Sequence, residues 1–325
     1  MIFTTIPQNF SSFQEPIIFA FDMESEYEKV DVTILKRDGT TIGRKRLYGV
    51  QLGQIDISPY LRHAASVSAP GYVATADIFD TGASIDVMVD IEGTQTSMFT
   101  FLAARVASNT DFALLGTQIT HRVISYEDFD TIGYVNKSGA QVSVVVEGHE
   151  GTDIVDELVV ESSDVGQRVV AITPRDFRKA VRSMVVAIYF DGIEQERVEY
   201  EVRENMPGAQ RIVWLNDELA PECYTFPLRK SMLVEVTRLR MATLWGAEAA
   251  EVEHEGELKL ISAYEPQSQL KALSGILCSK KVWVPQGYNL QPIEMCTERV
   301  LITPGEGMGF IEVDLRAAKE VADLW

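Results

Sequence analysis

The sequence predicts a mostly β protein with two or three tandem β-sandwich-like modules and a few short helices, mainly in the C-terminal third. Three observations predict this fold class. Apolar and polar residues alternate over many short segments, glycine-containing turns separate those segments, and one short phrase recurs along the chain. A chain of 325 residues is also longer than the chains that usually fold around a single hydrophobic core. We therefore expect modules at 1–112, 113–208 and 209–325.

The recurring phrase consists of a glycine turn, an alternating strand, Ser-Pro or Thr-Pro, and a short helical turn with arginine and alanine. The first copy occupies 53–64, the second occupies 166–180, and a fainter copy occupies 309–318. Repeated phrases indicate repeated structural units. This organisation favours a structural protein or a binding protein over an enzyme with a single active site.

In the first module, an alternating run over 30–35 is followed by Asp38-Gly39 and a second apolar run over 42–50. This order predicts a β-hairpin, because Gly39 supplies the positive φ that such a turn requires. Another alternating run, over 85–91, predicts a strand with one buried face.

Six strands are predicted in the second module, which we expect to be related to the first. Each is an alternating or apolar run bounded by turn-forming residues. They are 118–123, 141–147, 157–161, 169–172, 185–190 and 197–203. Asp191-Gly192 lies between the last two and predicts a hairpin turn.

The third module begins after Met206-Pro207-Gly208, which breaks the strand pattern. Its predicted strands lie near 211–215, 232–241, 257–263, 281–285 and 299–303. Leucines at helical spacing between Pro266 and Ser279 predict a helix, with the proline in its first turn. Residues 314–325 predict a second, terminal helix.

The chain is strongly acidic, with 48 Asp and Glu against 29 Lys and Arg and a net charge of −19. Such a surface repels phosphate backbones and anionic lipids, so we expect no nucleic-acid partner. Uninterrupted apolar runs are too short to predict a membrane span. Residues 1–13 lack both basic residues and an apolar core, so we expect no signal peptide.

Sequence motifs for catalysis and metal binding are missing. Cys223, Cys278 and Cys296 form neither a CxxC pair nor an even set, which argues against a zinc ribbon and a disulfide framework. The four histidines are not at metal-ligand spacing, and HExxH, GxSxG and GxGxxG do not occur. We therefore expect no catalytic residue, no metal and no cofactor.

Aromatic residues are concentrated in the last third of the chain. Trp245, Trp283 and Tyr288 are candidates for stacking on sugar rings or for anchoring a protein interface. Packing inside a β-rich core is the competing interpretation for the same residues.

The segment 214–226 predicts a structural corner rather than a reaction centre. Asn216 and Glu222 flank a turn, where each side chain can hydrogen-bond backbone groups. Tyr224 and Phe226 are two residues apart and therefore share one face of a strand, with Trp214 packed beneath them.

This phrase resembles one found in tail- or baseplate-like structural proteins of Bacteroidetes phages and prophages. In both, an asparagine is followed after five residues by an acidic residue and then by x-Tyr-Thr-Phe, here Asn216, Glu222 and 224–226. Residues 132–136 are similar to a degenerate earlier copy, and 56–61 also resemble those proteins. The family phrase carries glycines before its acidic residue and this chain does not, so the local turn must differ.

The resemblance implies a virion component built of β-sandwich modules, assembled in the bacterial cytoplasm together with other particle proteins and with copies of itself. We therefore expect a non-enzymatic structural part of a phage tail, baseplate or related particle. A carbohydrate-binding or adhesion module at a cell surface or particle tip is the alternative, with a glycan as ligand. A hydrolase with two carboxylates in a cleft between modules is a third hypothesis, because only distance in space defines such a pair.

Overall fold

The computed structural model describes residues 1–65, 67, 75–116, 121–178, 180–204, 206–243, 246–286, 289–300, 302 and 307–317. For 232–240, 242–243, 246–255 and 317 it describes the backbone only. Strands account for 60% of the structure and helices for 8%, and the sheets are almost entirely antiparallel. The predicted mostly β class with few helices is confirmed.

The first third of the chain contributes seven strands and one helix, α1 Ser58–Ala64. The strands are β1 Ile2–Thr5, β2 Ile18–Lys36, β3 Thr41–Asp56, β4 Asp77–Phe79, β5 Ser84–Ile91, β6 Thr94–Gln95 and β7 Phe99–Leu102. All but β4 form one six-stranded sheet, the N-terminal sheet. It has the order β1-β2-β5-β6, with β3 beside β2 and β7 beside β5.

The middle third contributes eight strands to two further sheets. They are β8 Phe112–Leu115, β9 His121–Ser125, β10 Asp130–Asn136, β11 Val142–Glu150, β12 Asp153–Ser162, β13 Gly166–Ile172, β14 Ser183–Phe190 and β15 Ile193–Arg203. The central sheet has the order β4-β13-β10-β8, so β4 pairs with strands of the middle third. The lateral sheet has the order β12-β11-β14-β15-β9.

The last third forms the C-terminal sheet, with the order β17-β16-β21-β22-β24-β19-β18, and a short β20-β23 pair. Helix α2 Gln267–Leu273 continues into a 3-10 turn, Ser274–Cys278. The strands are β16 Gln210–Leu215, β17 Pro221–Phe226, β18 Leu228–Thr243, β19 Gly246–Ile261, β20 Glu265–Pro266, β21 Val282–Gln286, β22 Asn289–Met295, β23 Met308–Gly309 and β24 Glu312–Ala317.

The C-terminal sheet curls round its own core. Strands β17 and β18 lie at opposite edges of the sheet order, yet Pro227 alone separates them in sequence. The two edges must therefore approach each other, and the backbone N–H of Arg229 donates to the Gly208 carbonyl at 3.0 Å beside the start of β16. Trp214 and Leu270 of α2 belong to the apolar cluster inside the curl.

The central sheet is covered on both faces. Every residue of β10 is buried, because Ile132 and Tyr134 pack into the core shared with the lateral sheet while Val135 packs on the opposite side. In β13, Val170 packs towards the lateral sheet and Ala171 towards the N-terminal sheet. A strand buried on both faces has no polar alternation, so the period-two criterion did not predict β10.

A two-stranded ribbon extends from the C-terminal sheet. Strands β18 and β19 pair from Leu228 and Ile261 at the base to Thr243 and Gly246 at the tip. The neighbouring strand β24 pairs with β19 only over 257–261. Beyond that segment, the backbone of the hairpin has no third strand among the residues that the structure describes.

Most individual element predictions are confirmed, including the β2-β3 hairpin, the strand at 85–91 and the helix after Pro266. The predicted terminal helix is wrong over 314–317, because this segment belongs to β24. There Val313 and Leu315 alternate with polar residues and are both buried. The remainder of that helix, 318–325, lies outside the described residues. The boundaries at 112 and 208 stay predictions.

The recurring phrase begins with the same local structure in its first two copies. Strand β3 leads through Ser58-Pro59 into α1, and β13 leads through Thr173 into a 3-10 turn at Pro174–Asp176. However, β3 is at a sheet edge and β13 is inside a sheet. The third copy contains the end of β23 and then β24, with no helical turn among its described residues.

The close packing of the central sheet predicts a severe effect for Gly133→Ala. A Cβ added at Gly133 would lie 2.7 Å from the Ala220 Cβ and 3.2 Å from the Leu115 Cβ, and neither atom can rotate away. We expect a loss of about 1–3 kcal/mol of unfolding free energy in urea. Gly275→Ala is the control, because a Cβ there has nothing within 4 Å. Equal stability of the two variants would contradict the close packing.

Candidate functional site

A buried ion cluster joins three of the four large sheets. Asp130, the first residue of β10, is fully buried. Its Oδ2 lies 2.9 Å from Nη1 of Arg122 on β9, and its Oδ1 lies 3.0 Å from Nη2 of Arg211 on β16. One carboxylate of the central sheet therefore contacts one arginine of the lateral sheet and one of the C-terminal sheet.

Further hydrogen bonds hold the Asp130 cluster in place. The backbone N–H of Thr131 donates to Asp130 Oδ1 at 2.8 Å. Arg211 donates through Nη1 to Thr225 Oγ1 at 2.8 Å and through Nη2 to the Phe129 carbonyl at 2.9 Å. Such contacts are required, because a charge is costly to bury unless it is paired and hydrogen-bonded.

The ionisation states follow from competition between burial and charge pairing. Burial opposes ionisation of Asp130, but Arg122 and Arg211 outweigh it and hold the pKa of this carboxyl below its usual value. Burial also opposes the charge on each arginine, and Asp130 outweighs it, so both guanidinium pKa values lie above their usual value. All three groups are therefore charged at neutral pH.

Cys223 lies beside the Asp130 cluster, with its Sγ 3.5 Å from the Thr131 Oγ1. Burial raises the pKa of this thiol to about 12, so it is protonated at neutral pH. Because the thiolate is the reactive form of cysteine, Cys223 acts as a small buried apolar group rather than as a nucleophile.

The corner predicted at 214–226 is built around one amide side chain. Asn216 Oδ1 accepts hydrogen bonds from the backbone N–H groups of Glu218 and Ala220, both at 2.9 Å. Its Nδ2 donates to Glu222 Oε1 at 2.8 Å. Leu219 adopts a positive φ of 56° inside the turn, the strained conformation that these bonds hold.

A second buried amide ties this corner to the rest of the molecule. Gln167 on β13 is fully buried and donates through Nε2 to the Glu218 carbonyl at 2.7 Å. Its Oε1 accepts from the backbone N–H of Ala104, just after β7, at 3.1 Å. The uncharged side chain of Gln167 thus connects the N-terminal, central and C-terminal sheets.

An open groove of about 550 Å³ runs along the outside of the corner. Arg105, Lys271 and Lys280 line it together with Asp217 and Glu218. Burial raises the pKa of Glu218, with Asp217 adding to this effect and the Gly116 N–H and Arg105 opposing it. Both signs of charge are mixed along its wall.

The aromatic side chain at the groove, Trp214, is almost fully buried. It contributes to the core beneath the wall and does not offer a ring face for a sugar to stack on. Cys278 is exposed at the same groove, in the 3-10 turn that follows α2. Among its described lining residues, the groove therefore offers no exposed aromatic ring on which a sugar could stack.

Of the three aromatic candidates, Trp283 lies among the described residues. Trp283 is 9% exposed and packs into the core beneath the N-terminal sheet, so its ring is not accessible to a sugar. Trp245 and Tyr288 lie outside the described residues. Of the corner residues, Tyr224 and Phe226 form an edge-to-face pair with centroids 5.0 Å apart, and the Tyr224 hydroxyl donates to Glu265 at 2.8 Å.

The sequence patterns did not identify Asp130, Arg211 and Gln167 as the residues that connect the sheets. Asp130 carried a weak signal, because it is the one charged residue of the run 130–136. Arg211 carried a similar one as the charged residue before the apolar run 212–215. Their pairing depends on strands about 80 residues apart in sequence, which no local pattern reveals.

No group of three or more His, Cys, Asp or Glu side chains suited to a metal ion occurs in the part of the chain that the structure describes. Within that same part, no helix is long and apolar enough to cross a membrane.

Comparisons with known proteins give no family. No protein family matches the chain, and no curated protein sequence matches it. Among solved structures, a mutant Salmonella alpha-2-macroglobulin has a TM-score of 0.21 and 8% identity, over 88% of this chain and 23% of that chain. The methylamine-reacted form of that protein gives 0.21 and 8%, over 87% and 23%.

A third solved structure, Dpr2 Ig1-Ig2 in complex with DIP-Theta Ig1-Ig3, has a TM-score of 0.22 and 9% identity, over 98% of this chain and 89% of that chain. Against the alpha-2-macroglobulin chains, the present chain spans less than a quarter of their length. TM-scores this low do not establish a common fold, and no functional conclusion follows from them.

Replacing Asn216 with alanine tests the corner. The change removes three hydrogen bonds and leaves the Glu218 and Ala220 amides without their acceptor. We expect a loss of about 2 kcal/mol in the free energy of unfolding, measured in urea. Asn109→Ala, at an exposed asparagine, serves as the control and should change little. An unchanged midpoint for Asn216→Ala would count against a structural corner.

Asp130→Asn tests the ion cluster. The isosteric amide removes the carboxylate charge that pairs with both Arg122 and Arg211, and we expect a loss of about 3–5 kcal/mol. Asp31→Asn is the control, because Asp31 pairs with Arg46 in a shorter ion pair, at 2.6 Å, that is exposed and should contribute little. Equal losses of unfolding free energy in the two variants would show that burial does not determine how much the Asp130 ion pairs stabilise the fold.

The same variant predicts a pH dependence. Because the folded-state pKa of Asp130 is lowered, its contribution is fully present above the unfolded pKa, about 4. The contribution is lost as pH falls through the lower folded-state pKa. The stability difference between wild type and Asp130→Asn should therefore be constant from pH 7 to about pH 4 and shrink below it. A difference that shrinks already between pH 7 and 5 would contradict this assignment.

Proposed function

We propose that this chain is a non-enzymatic structural component of a phage tail, baseplate or related particle, acting through protein–protein assembly. The observation that carries the proposal is the pair of buried junctions at Asp130 and Gln167. Between them, these two side chains join all four large sheets through hydrogen bonds and ion pairs. A body connected in this way resists relative motion of its parts, as a load-bearing subunit requires.

The described surface and interior support an assembly role more than a chemical one. The carboxylate of the ion cluster, Asp130, is fully buried, and its charge pairs with Arg122 and Arg211 inside the protein. Among the described residues, the groove at the corner has charges of both signs and one exposed thiol, Cys278. The β18-β19 ribbon reaches beyond its sheet and leaves strand edges open for another chain.

The sequence resemblance at 214–226 adds a second line of support. The corner residues that carry it, Asn216 and Glu222, are hydrogen-bonded to each other at the turn between β16 and β17. The resemblance therefore rests on residues with a definite structural role. The carbohydrate-binding alternative has less support, because Trp283 is buried and the groove offers no exposed aromatic ring among its described lining.

Oligomeric state tests the proposal directly. We expect the purified chain to form an assembly of fixed subunit number, measured by light scattering coupled to gel filtration and by negative-stain microscopy between about 1 and 500 µM. A chain that remains monomeric over this whole range, alone and with particle proteins encoded beside it, would overturn the proposal.

A further inference from the structure

Two aromatic rings in contact with each other lie exposed beside the short β20-β23 pair. Tyr264 precedes β20 and is 68% exposed, and Phe310 follows β23 and is 40% exposed. Their ring centroids are 5.5 Å apart and the ring planes meet at 72°, which is an edge-to-face arrangement. Aromatic side chains stabilise a fold through the large area that they bury, and these two leave much of that area in water. Core packing therefore does not account for the pair.

Strand alternation gives the two rings apolar neighbours on the same side. Gly309 of β23 faces α2, because a Cβ added there would lie 3.0 Å from the Leu270 Cδ1. Successive residues of a strand point to opposite sides, so Met308 and Phe310 project away from that helix. Pro266 lies directly opposite Met308 and shares its side, and both are exposed. We define the aromatic patch as Tyr264, Pro266, Met308 and Phe310.

Hydrogen bonds hold the backbone that carries the aromatic patch. Glu265 Oε1 accepts from the Tyr224 hydroxyl at 2.8 Å. The backbone N–H of Ser262 donates to the Ile311 carbonyl, and the Ile311 N–H donates to Ser262 Oγ, both at 3.0 Å. These residues are close neighbours of both aromatic residues in the sequence. The two rings are therefore positioned before a ligand arrives, which lowers the entropic cost of binding.

The chemistry of the aromatic patch defines the class of ligand that it fits. None of its four residues is charged, so it offers no ion pair to a charged ligand. The Tyr264 hydroxyl has no hydrogen-bond partner among the described residues and is able both to donate and to accept. A neutral sugar matches these properties, because its ring presents C–H groups on one face and hydroxyl groups around its edge.

The exposed area fits a small ligand better than a protein partner. A fully exposed large side chain presents about 200 Å², so the exposed fractions of Tyr264, Met308 and Phe310 correspond to about 350 Å². Each partner in a specific protein complex buries about 800 Å². The aromatic patch supplies less than half of that area, which is sufficient to cover one face of a short saccharide.

We propose that the aromatic patch binds a neutral saccharide. The C–H face of a sugar ring packs on the Tyr264 and Phe310 rings, and a sugar hydroxyl hydrogen-bonds the Tyr264 hydroxyl. No residue of the patch lines the groove beside the corner, so the two surfaces are separate. The inference goes beyond the proposed function, because a particle component that assembles through other surfaces can carry this site on its exterior.

Saturation-transfer difference NMR on the full chain tests the inference. The probes are glucose, galactose, mannose, maltotriose, cellotriose and chitotriose, each at about 5 mM. We expect at least one of them to receive saturation, most strongly at the C–H protons of one ring face. The dissociation constant should be about millimolar, because the patch is small and open. Tyr264→Ala and Phe310→Ala should each weaken binding more than about 10-fold.

Two further variants separate stacking on the rings from general effects. Tyr264→Phe keeps the ring and removes the hydroxyl, so binding should weaken about 2- to 10-fold and still be measurable. Tyr48→Ala is the matched control, because Tyr48 is a similarly exposed tyrosine, at 70%, on the N-terminal sheet. This control should bind sugar like the wild type. Unfolding midpoints in urea should be similar for all four variants, which separates loss of the site from loss of the fold.

Three results would overturn this inference. They are the absence of a signal from every probe, equal binding by the two alanine variants and the wild type, and loss of wild-type assembly in Tyr264→Ala. The last result, measured by light scattering, would make the patch a protein contact. If no probe binds but the wild type assembles, the inference fails and the proposed function stands. If the wild type stays monomeric but binds sugar through the patch, the proposed function fails and the inference stands.

Discussion

The arrangement of the sheets depends on one buried carboxylate. Asp130 forms ion pairs with Arg122 of the lateral sheet and Arg211 of the C-terminal sheet. Its own strand belongs to the central sheet. The cost of burying three charges is offset only when all of them meet in good geometry. A displaced sheet would leave at least one charge buried without its counter-ion, so the cluster selects one relative position of β9, β10 and β16.

This constraint explains why the molecule is organised as layers around the central sheet. Strands β10 and β13 bury both of their faces, so the cores above and below them cannot form independently of each other. Gln167 repeats the joining role on the other side through hydrogen bonds to Ala104 and Glu218. Neutral amides fix position at a lower desolvation cost than charges, whereas the ion cluster penalises misplacement more strongly.

A rigid body of this kind suits a protein that works through its shape. Burial keeps the Cys223 thiol protonated, and the groove at 214–219 carries charges of both signs along its wall. Under the proposed function, association would use surfaces such as the backbone edges of the β18-β19 ribbon, which have no third strand among the described residues beyond 257–261.

Local sequence patterns were sufficient for the strands with one exposed face, because alternation located β5 and β15. At the corner, Asn216 bonds backbone groups of the turn, whereas Glu222 accepts from the Asn216 side chain. Patterns failed where burial was two-sided, as in β10, and where a strand end resembled a helix, as in β24. The ion cluster could not be predicted, because its partners meet only after the sheets have packed.

The central claim is that the four large sheets form one cooperative body fixed at the Asp130 cluster, and Cys223 allows a direct test. Replacing Cys278 and Cys296 with serine leaves this buried residue as the sole thiol, 3.5 Å from Thr131. Thiol labelling in increasing urea gives the free energy of the opening that exposes it. The account predicts a value equal to the free energy of global unfolding. Labelling through an opening several kcal/mol less costly would show that the C-terminal sheet separates from the others, and would contradict the account.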